Sequence, residues 1–235
     1  MDPILFYGVP EGCSFGSIVA LEWLGRPYRL CRIQMPEVAA GQAYARINPV
    51  GETPALMTST DQVISESVAI LNHIGAQGID KGFAYAQGTA GFDRLNQMLG
   101  FLNTSFFGAF SPLWYALEHL ADGPEKDALN AYGRRQVEEA HAKLERLLDG
   151  RDWLVGDRPT LADAYFVGVA RWADFHKAVD RRDYPALRKL YERMQADPAV
   201  RFAHAIEHEE AATSAGGFKG HIGLEEALER LSRPA

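Results

Sequence analysis

A small α/β domain followed by an all-helical one is the fold class this sequence predicts, and three observations predict it. Across its first 25 residues a short apolar run gives way to helical spacing, through a turn that carries Gly8, Pro10 and Gly12. Two more short apolar runs, joined by polar residues, follow before Glu66. From Phe92 onward apolar residues recur at helical spacing, and no segment shows the alternation of a strand. The expected division is a first domain at 1–80, a linker at 81–91 and a helical domain at 92–235.

Residues 4–7 read as the first strand. From Cys13 the residues Phe15, Ile18, Val19 and Leu21 repeat as in a helix that stops at Gly25. Residues 28–33 form a second strand, and the three elements make a right-handed βαβ unit. Residues 38–46 suit a short helix entered through Pro36. Residues 52–57 and 62–64 read as a hairpin around Ser59-Thr60-Asp61. Pro54 cannot donate a ladder hydrogen bond, so its strand is expected at an edge or irregular there. Ser65-Glu66-Ser67 then opens a helix through Val68, Ile70, Leu71 and Ile74.

Five glycines between Gly75 and Gly91 suit the linker. A long helical pattern follows from Phe92 past Phe107, kinked or restarted at Pro112, and another covers residues 125–148. Thr160-Leu161-Ala162-Asp163 reads as a shorter-chain capping box before a helix that is apolar nearly all round. Pro185 and Pro198 start further helices, and residues 223–231 form the last. The polar stretch 207–220, glycine-rich at its end, reads as a surface loop.

Composition narrows the function classes. The net charge of −7 comes without a block of Lys and Arg, which argues against nucleic acid as a partner. No apolar run is long enough to span a bilayer, and the start Met1-Asp2-Pro3 lacks a basic signal, so the expected compartment is the cytoplasm. Two cysteines are too few for a disulfide scaffold, and no Cys/His cluster has zinc-ligand spacing. His204, His208 and Glu209 alone do not make a metal site, and none is expected.

Three places could carry chemistry. Cys13 falls in the first turn of the first helix, where exposed N–H groups would favour a thiolate; the alternative is a small residue filling a strand–helix junction. Cys31 lies within a strand and reads as filler. A cis Thr53–Pro54 bond would leave Thr53's backbone outside the ladder and open to a ligand's backbone. At the start of the next helix, Glu66 and Ser67 could hold an amine and a carboxylate, or Ser65 could simply cap.

The order of parts resembles the cytosolic glutathione transferases, which join a thioredoxin-like domain of about 80 residues through a linker to an all-helical domain. The resemblance rests on Gly51-Glu52-Thr53-Pro54-Ala55-Leu56, on Ser65-Glu66-Ser67 and on the capping segment from Gly156 to Asp163. Tyr7 to Ser14 looks most like the bacterial beta class, in which a cysteine meets the glutathione sulfur. The resemblance implies that Pro54 is cis, that Thr53 pairs with the cysteinyl part of glutathione, and that Glu66 and Ser67 hold its γ-glutamyl amine and carboxylate. It implies that Cys13 faces the sulfur, with Ser14 as the fallback donor. Where the class carries a histidine–lysine pair, this sequence reads Phe107-Gly108.

What the resemblance implies is a homodimeric transferase that uses glutathione as co-substrate. It would conjugate glutathione to a small hydrophobic electrophile in an interdomain cleft. Two rivals stand beside this reading. One is a glutathione-dependent thiol–disulfide oxidoreductase with Cys13 as nucleophile, and the other a non-catalytic binding protein of the same fold.

Overall fold

The computed structural model describes residues 1–35, 37–214 and 216–232. It divides into two compact units, Met1–Ala84 with Asp197–Ala235, and Tyr85–Ala196. The first boundary therefore falls within the 81–91 segment.

The first unit opens with β1, Ile4–Val9, all six residues buried. Helix α1, Phe15–Leu24, follows and buries every residue except Trp23; Gly25 ends it in the left-handed conformation (φ 67°) with its N–H on the Leu21 carbonyl. Strand β2, Pro27–Gln34, runs parallel to β1 and completes the expected βαβ unit. Helix α2 is shorter than expected, Gln42–Ala45, and Pro36 lies outside the described residues. β3, Ala55–Met57, and β4, Val63–Ser65, form the hairpin, with β3 also antiparallel to β1. β3 is therefore internal, and β4 takes the edge. Pro54 is accommodated because the ladder starts one residue later, at Ala55. Helix α3, Ser67–Ala76, closes this part of the unit.

The second unit is helical throughout its described secondary structure. Helix α4, Ala90–Phe101, is capped by the Thr89 side chain on the Phe92 N–H. Its path continues through a π-helical segment, Leu102–Phe107, and a 3₁₀ turn, Gly108–Phe110, into α5, Ser111–His119, whose first turn holds Pro112. Then come α6, Pro124–Leu148, α7, Leu161–Ala170, α8, Trp172–Phe175, and α9, Pro185–Gln195. All ten residues of α7 are buried. No helix among the described residues is long and apolar enough to cross a membrane.

The chain from Asp197 onward corrects two expectations. It joins the first unit instead of ending a helical domain. After α10, Pro198–Glu207, the presumed loop yields a strand, β5, Gly217–His221, which pairs parallel with β2 and makes a five-stranded sheet of order β4-β3-β1-β2-β5. The glycines serve close packing here: a Cβ on Gly217 would lie 1.9 Å from the Arg26 carbonyl oxygen. Helix α11, Leu224–Leu231, places Ala227 and Leu228 in a core with Ile4, Phe6, Ile33 and Tyr44. Cys31 fills that same core, where burial pushes its thiol up to about 12. Arg230, 8% exposed, ties α11 to the hairpin turn through Asp61 Oδ1 (2.6 Å) and the Thr58 carbonyl (3.0 Å).

In the second unit His141 is 2% exposed, against the rings of Phe106 and Tyr184. Burial lowers its pKa from 6.5 to about 4, opposed by the bond from Nδ1–H to the Val137 carbonyl. Arg181 adds to the lowering and Asp174 opposes it. The unfolded chain thus takes up this proton first, and the stability from a neutral His141 is lost as pH falls from 6.5 to about 4. That shift corresponds to about 3 kcal/mol. Asp163, pushed up to about 6 by burial, acts in the opposite sense over an overlapping window. A comparison of wild type with His141→Phe isolates the histidine. Relative to wild type, the variant should gain about 3 kcal/mol across that window in urea unfolding. An unchanged difference between the two proteins at either pH would refute this.

Candidate active site

The site is built around the loop that follows β1. Gly8 stands where a Cβ would meet Thr53 Oγ1 at 2.2 Å, so only glycine lets the 52–54 segment approach the strand end. The Gly8 N–H donates to Ser14 Oγ (3.1 Å), which folds the loop back on itself. Helix α1 begins at Phe15, with Ser14 at its cap and its carbonyl accepting from Ser17 and Ile18. Cys13 therefore sits in the turn before the helix, not in its first turn.

The half-buried Cys13 donates its thiol to the Thr53 carbonyl, Sγ to O 3.0 Å. The Thr53–Pro54 peptide is cis, as is Val9–Pro10. Thr53 itself is buried and lies ahead of the first ladder residue, Ala55, so its backbone stands outside the regular pairing. Its loop is fixed one residue earlier, where the Glu52 carbonyl accepts from Tyr44 Oη (2.9 Å) and Asn48 Nδ2 (2.7 Å).

Glu66 and Ser67 lie at the start of α3. Ser65 ends β4, Ser67 is the first helical residue and is 7% exposed, and Glu66 is exposed between them. Glu66 holds φ 71°, ψ 123°, a conformation that costs a non-glycine residue about 1–3 kcal/mol. The α3 N–H groups of the first turn and the positive helix end make this a place for an anion.

Of the expected residues, the structure brings Cys13 and Thr53 into contact and sets Glu66 with Ser67 at one helix start. Ser14 differs from Cys13: it is fully buried and its oxygen accepts from Gly8. Sequence reasoning missed Tyr7, whose hydroxyl meets His221 Nε2 at 3.0 Å, in a cavity of about 620 Å³ that Arg32 and Glu209 also line. That cavity lies toward β5, whereas Thr53 lies toward β3 on the other side of β1. No local signal could have found it, because His221 stands in a stretch without strand alternation. Among the described residues no group of three or more His, Cys, Asp or Glu could hold a metal ion.

A parallel β1–β2 pair with an antiparallel hairpin, a loop cysteine facing the residue before a cis-proline, and an all-helical second unit define a thioredoxin-like, two-unit transferase fold. The comparisons agree with this class. The glutathione S-transferase N-terminal domain matches residues 13–77 and the C-terminal domain matches residues 102–198. Glutathione S-transferase GST-4.5 of Xanthomonas campestris pv. campestris is 31% identical over 204 residues, 86% of this chain and 97% of that protein. The chain belongs to the glutathione S-transferase family. A sphingomonad glutathione S-transferase, solved in complex with glutathione, is 30% identical with a TM-score of 0.77, covering 87% of this chain and 98% of that one. A bacterial beta class enzyme from Sphingomonas chungbukensis is 25% identical with a TM-score of 0.74, over 87% and 98% of the two chains. β5 and α11 follow the last residue matched by either family domain.

Proposed function

We propose that the chain binds glutathione in its first unit and transfers the glutathione thiolate to a small hydrophobic electrophile. One observation carries the reading. Cys13 and the backbone of Thr53 meet at 3.0 Å beside a strand end that, among the described residues, has no ladder partner at Thr53. A peptide ligand would pair with Thr53 in the manner of an added strand, next to Pro54, with its sulfur toward Cys13. Ser67 and the α3 N–H groups would take the γ-glutamyl carboxylate, and the exposed Glu66 the amine. The strained backbone of Glu66 supports a role for that residue in binding. Ser14, committed to Gly8, shapes the loop instead of touching sulfur. The ligand's thiolate is the attacking atom, oriented by these contacts and stabilised near the start of α1.

Replacing Glu66 with Ala, and Ser67 with Ala, should each weaken glutathione binding by about 1.5–3 kcal/mol while the fold is kept. Calorimetric titration of the folded variants checks this, and wild-type affinity in both would remove these residues from the site. We also propose a two-fold homodimer; light scattering on the same samples should report twice the chain mass of 26.0 kDa.

The position of Cys13 favours a second activity. Its thiolate could attack a glutathione mixed disulfide, releasing the partner thiol and leaving glutathione on Cys13. A second glutathione thiolate would then attack that adduct, freeing Cys13 and leaving as oxidised glutathione.

A further inference from the structure

We propose that α11, which lies beyond the residues matched by either family domain, positions the Thr53 segment for its ligand by bracing it from both sides. The inference rests on the glutathione reading and adds to it a helix that the two domain matches leave out.

One brace runs through Tyr44. Helix α2 is a single turn of four residues, too short to hold its shape alone, so it depends on what packs against it. α11 packs on α2 and β2, and its Ala227 and Leu228 share a core with the fully buried Tyr44. From that core the Tyr44 hydroxyl donates to the Glu52 carbonyl (2.9 Å), one residue before Thr53. The Asn48 side chain donates to the same carbonyl (2.7 Å), and the Asn48 N–H donates to the Tyr44 carbonyl (2.9 Å). A shift of Tyr44 therefore reaches Glu52 along both bonds.

The other brace runs through Arg230. Its guanidinium donates to Asp61 Oδ1 and to the Thr58 carbonyl, both in the turn that joins β3 to β4. β3 begins at Ala55, directly after Pro54. One helix thus holds the chain on the Glu52 side and on the Ala55 side, with Thr53 and Pro54 between. Glu225, Glu226 and Glu229 of α11 are exposed, so its inward face is the one that makes these contacts. A helix that only covered a core would need apolar residues there. A buried arginine is costly unless paired, and this one is spent on the hairpin turn.

The test measures glutathione affinity of the folded protein by calorimetry, and hydrogen exchange of the 50–53 amides without ligand. Leu228→Ala should weaken binding about 3- to 10-fold and speed that exchange. Leu228→Met, which keeps the volume, should restore both. Tyr44→Phe removes only the hydroxyl and should weaken binding about 2- to 5-fold. Leu228→Ala should then cost less in the Tyr44→Phe background than in wild type, because part of its route is already cut. A helix that merely stabilises the fold would lower the Tm of Leu228→Ala and leave the affinity of folded protein unchanged. That result overturns the proposal, as does an equal cost in the two backgrounds or no recovery in Leu228→Met. If Leu228→Ala does not fold, Asp61→Asn tests the other brace, keeping a residue suited to the turn (φ 63°) while removing the charge that faces Arg230. It should weaken binding about 2-fold, and wild-type affinity there overturns the proposal. In all these outcomes wild type binds glutathione and that site stands. Wild type that fails to bind overturns the glutathione reading, and this proposal with it.

Discussion

Replacing Asp163 with Ala should destabilise the second unit by about 3–4 kcal/mol. The Asp163 carboxylate is fully buried and accepts from the Leu154 N–H (3.0 Å), the Thr160 N–H (2.8 Å) and the Thr160 hydroxyl (3.0 Å). Alanine would leave two buried backbone donors without an acceptor, at about 1–3 kcal/mol each. Part of that loss is returned, because the variant no longer buries a carboxyl that burial pushes up to about 6. The damage should not stay local, since α7 is buried along its whole length and cannot fray into water. Trp114, Trp153 and Trp172 all lie in this unit, so urea unfolding followed by tryptophan fluorescence reports it directly. Asp163→Asn keeps one acceptor oxygen and should lose less. An unfolding midpoint equal to wild type in the Ala variant would show that the box contributes nothing.

Replacing Cys13 with Ala should abolish disulfide reduction while conjugation survives at least in part. In the proposed reduction the cysteine would be the nucleophile, and its removal would eliminate the covalent step. In the proposed conjugation the attacking sulfur would be glutathione's own, held by the contacts proposed at Thr53, Glu66 and Ser67, residues that the variant retains. Both activities have to be measured on one preparation, with glutathione affinity as the control. Full retention of both would make Cys13 a junction residue and leave the sulfur to backbone donors. Equal loss of both, in a variant that still binds glutathione, would mean that Cys13 positions the ligand sulfur in either reaction.

Much of the candidate site was legible in the sequence because its signals are local. Gly8 and Gly12 with Pro10 announce a turn, Gly25 a helix stop, and Thr160 with Asp163 a helix start. Each depends on residues within a few positions of one another, and each element is found. The same locality puts Glu66-Ser67 at the start of α3. Local reasoning erred by a small margin at Cys13, where helical spacing could not show that the Gly8–Ser14 bond delays α1 until Phe15. In the Thr160–Asp163 box the reach of Asp163 back to the Thr160 N–H is as expected. The other half of the box, the Thr160 side chain with the Asp163 N–H, is present too, and the Thr160 hydroxyl also donates to that carboxylate.

By itself, then, the sequence determined the order of elements, the cap residues and the loops that carry the site, since short-range sterics and hydrogen bonding decide those. Only the tertiary structure decided where distant segments return. Gly-Phe-Lys-Gly-His has no alternating pattern, and it becomes β5 because the edge of β2 offers unpaired backbone groups and Gly217 can approach the Arg26 carbonyl. Arg230 found its acceptors at Asp61 and Thr58, some 170 residues earlier in the chain. The bond from Cys13 to the Thr53 carbonyl spans 40 residues. Strand pairing, buried charge and a thiol's choice of acceptor all depend on partners brought together by folding, and no window of sequence contains both members of such a pair.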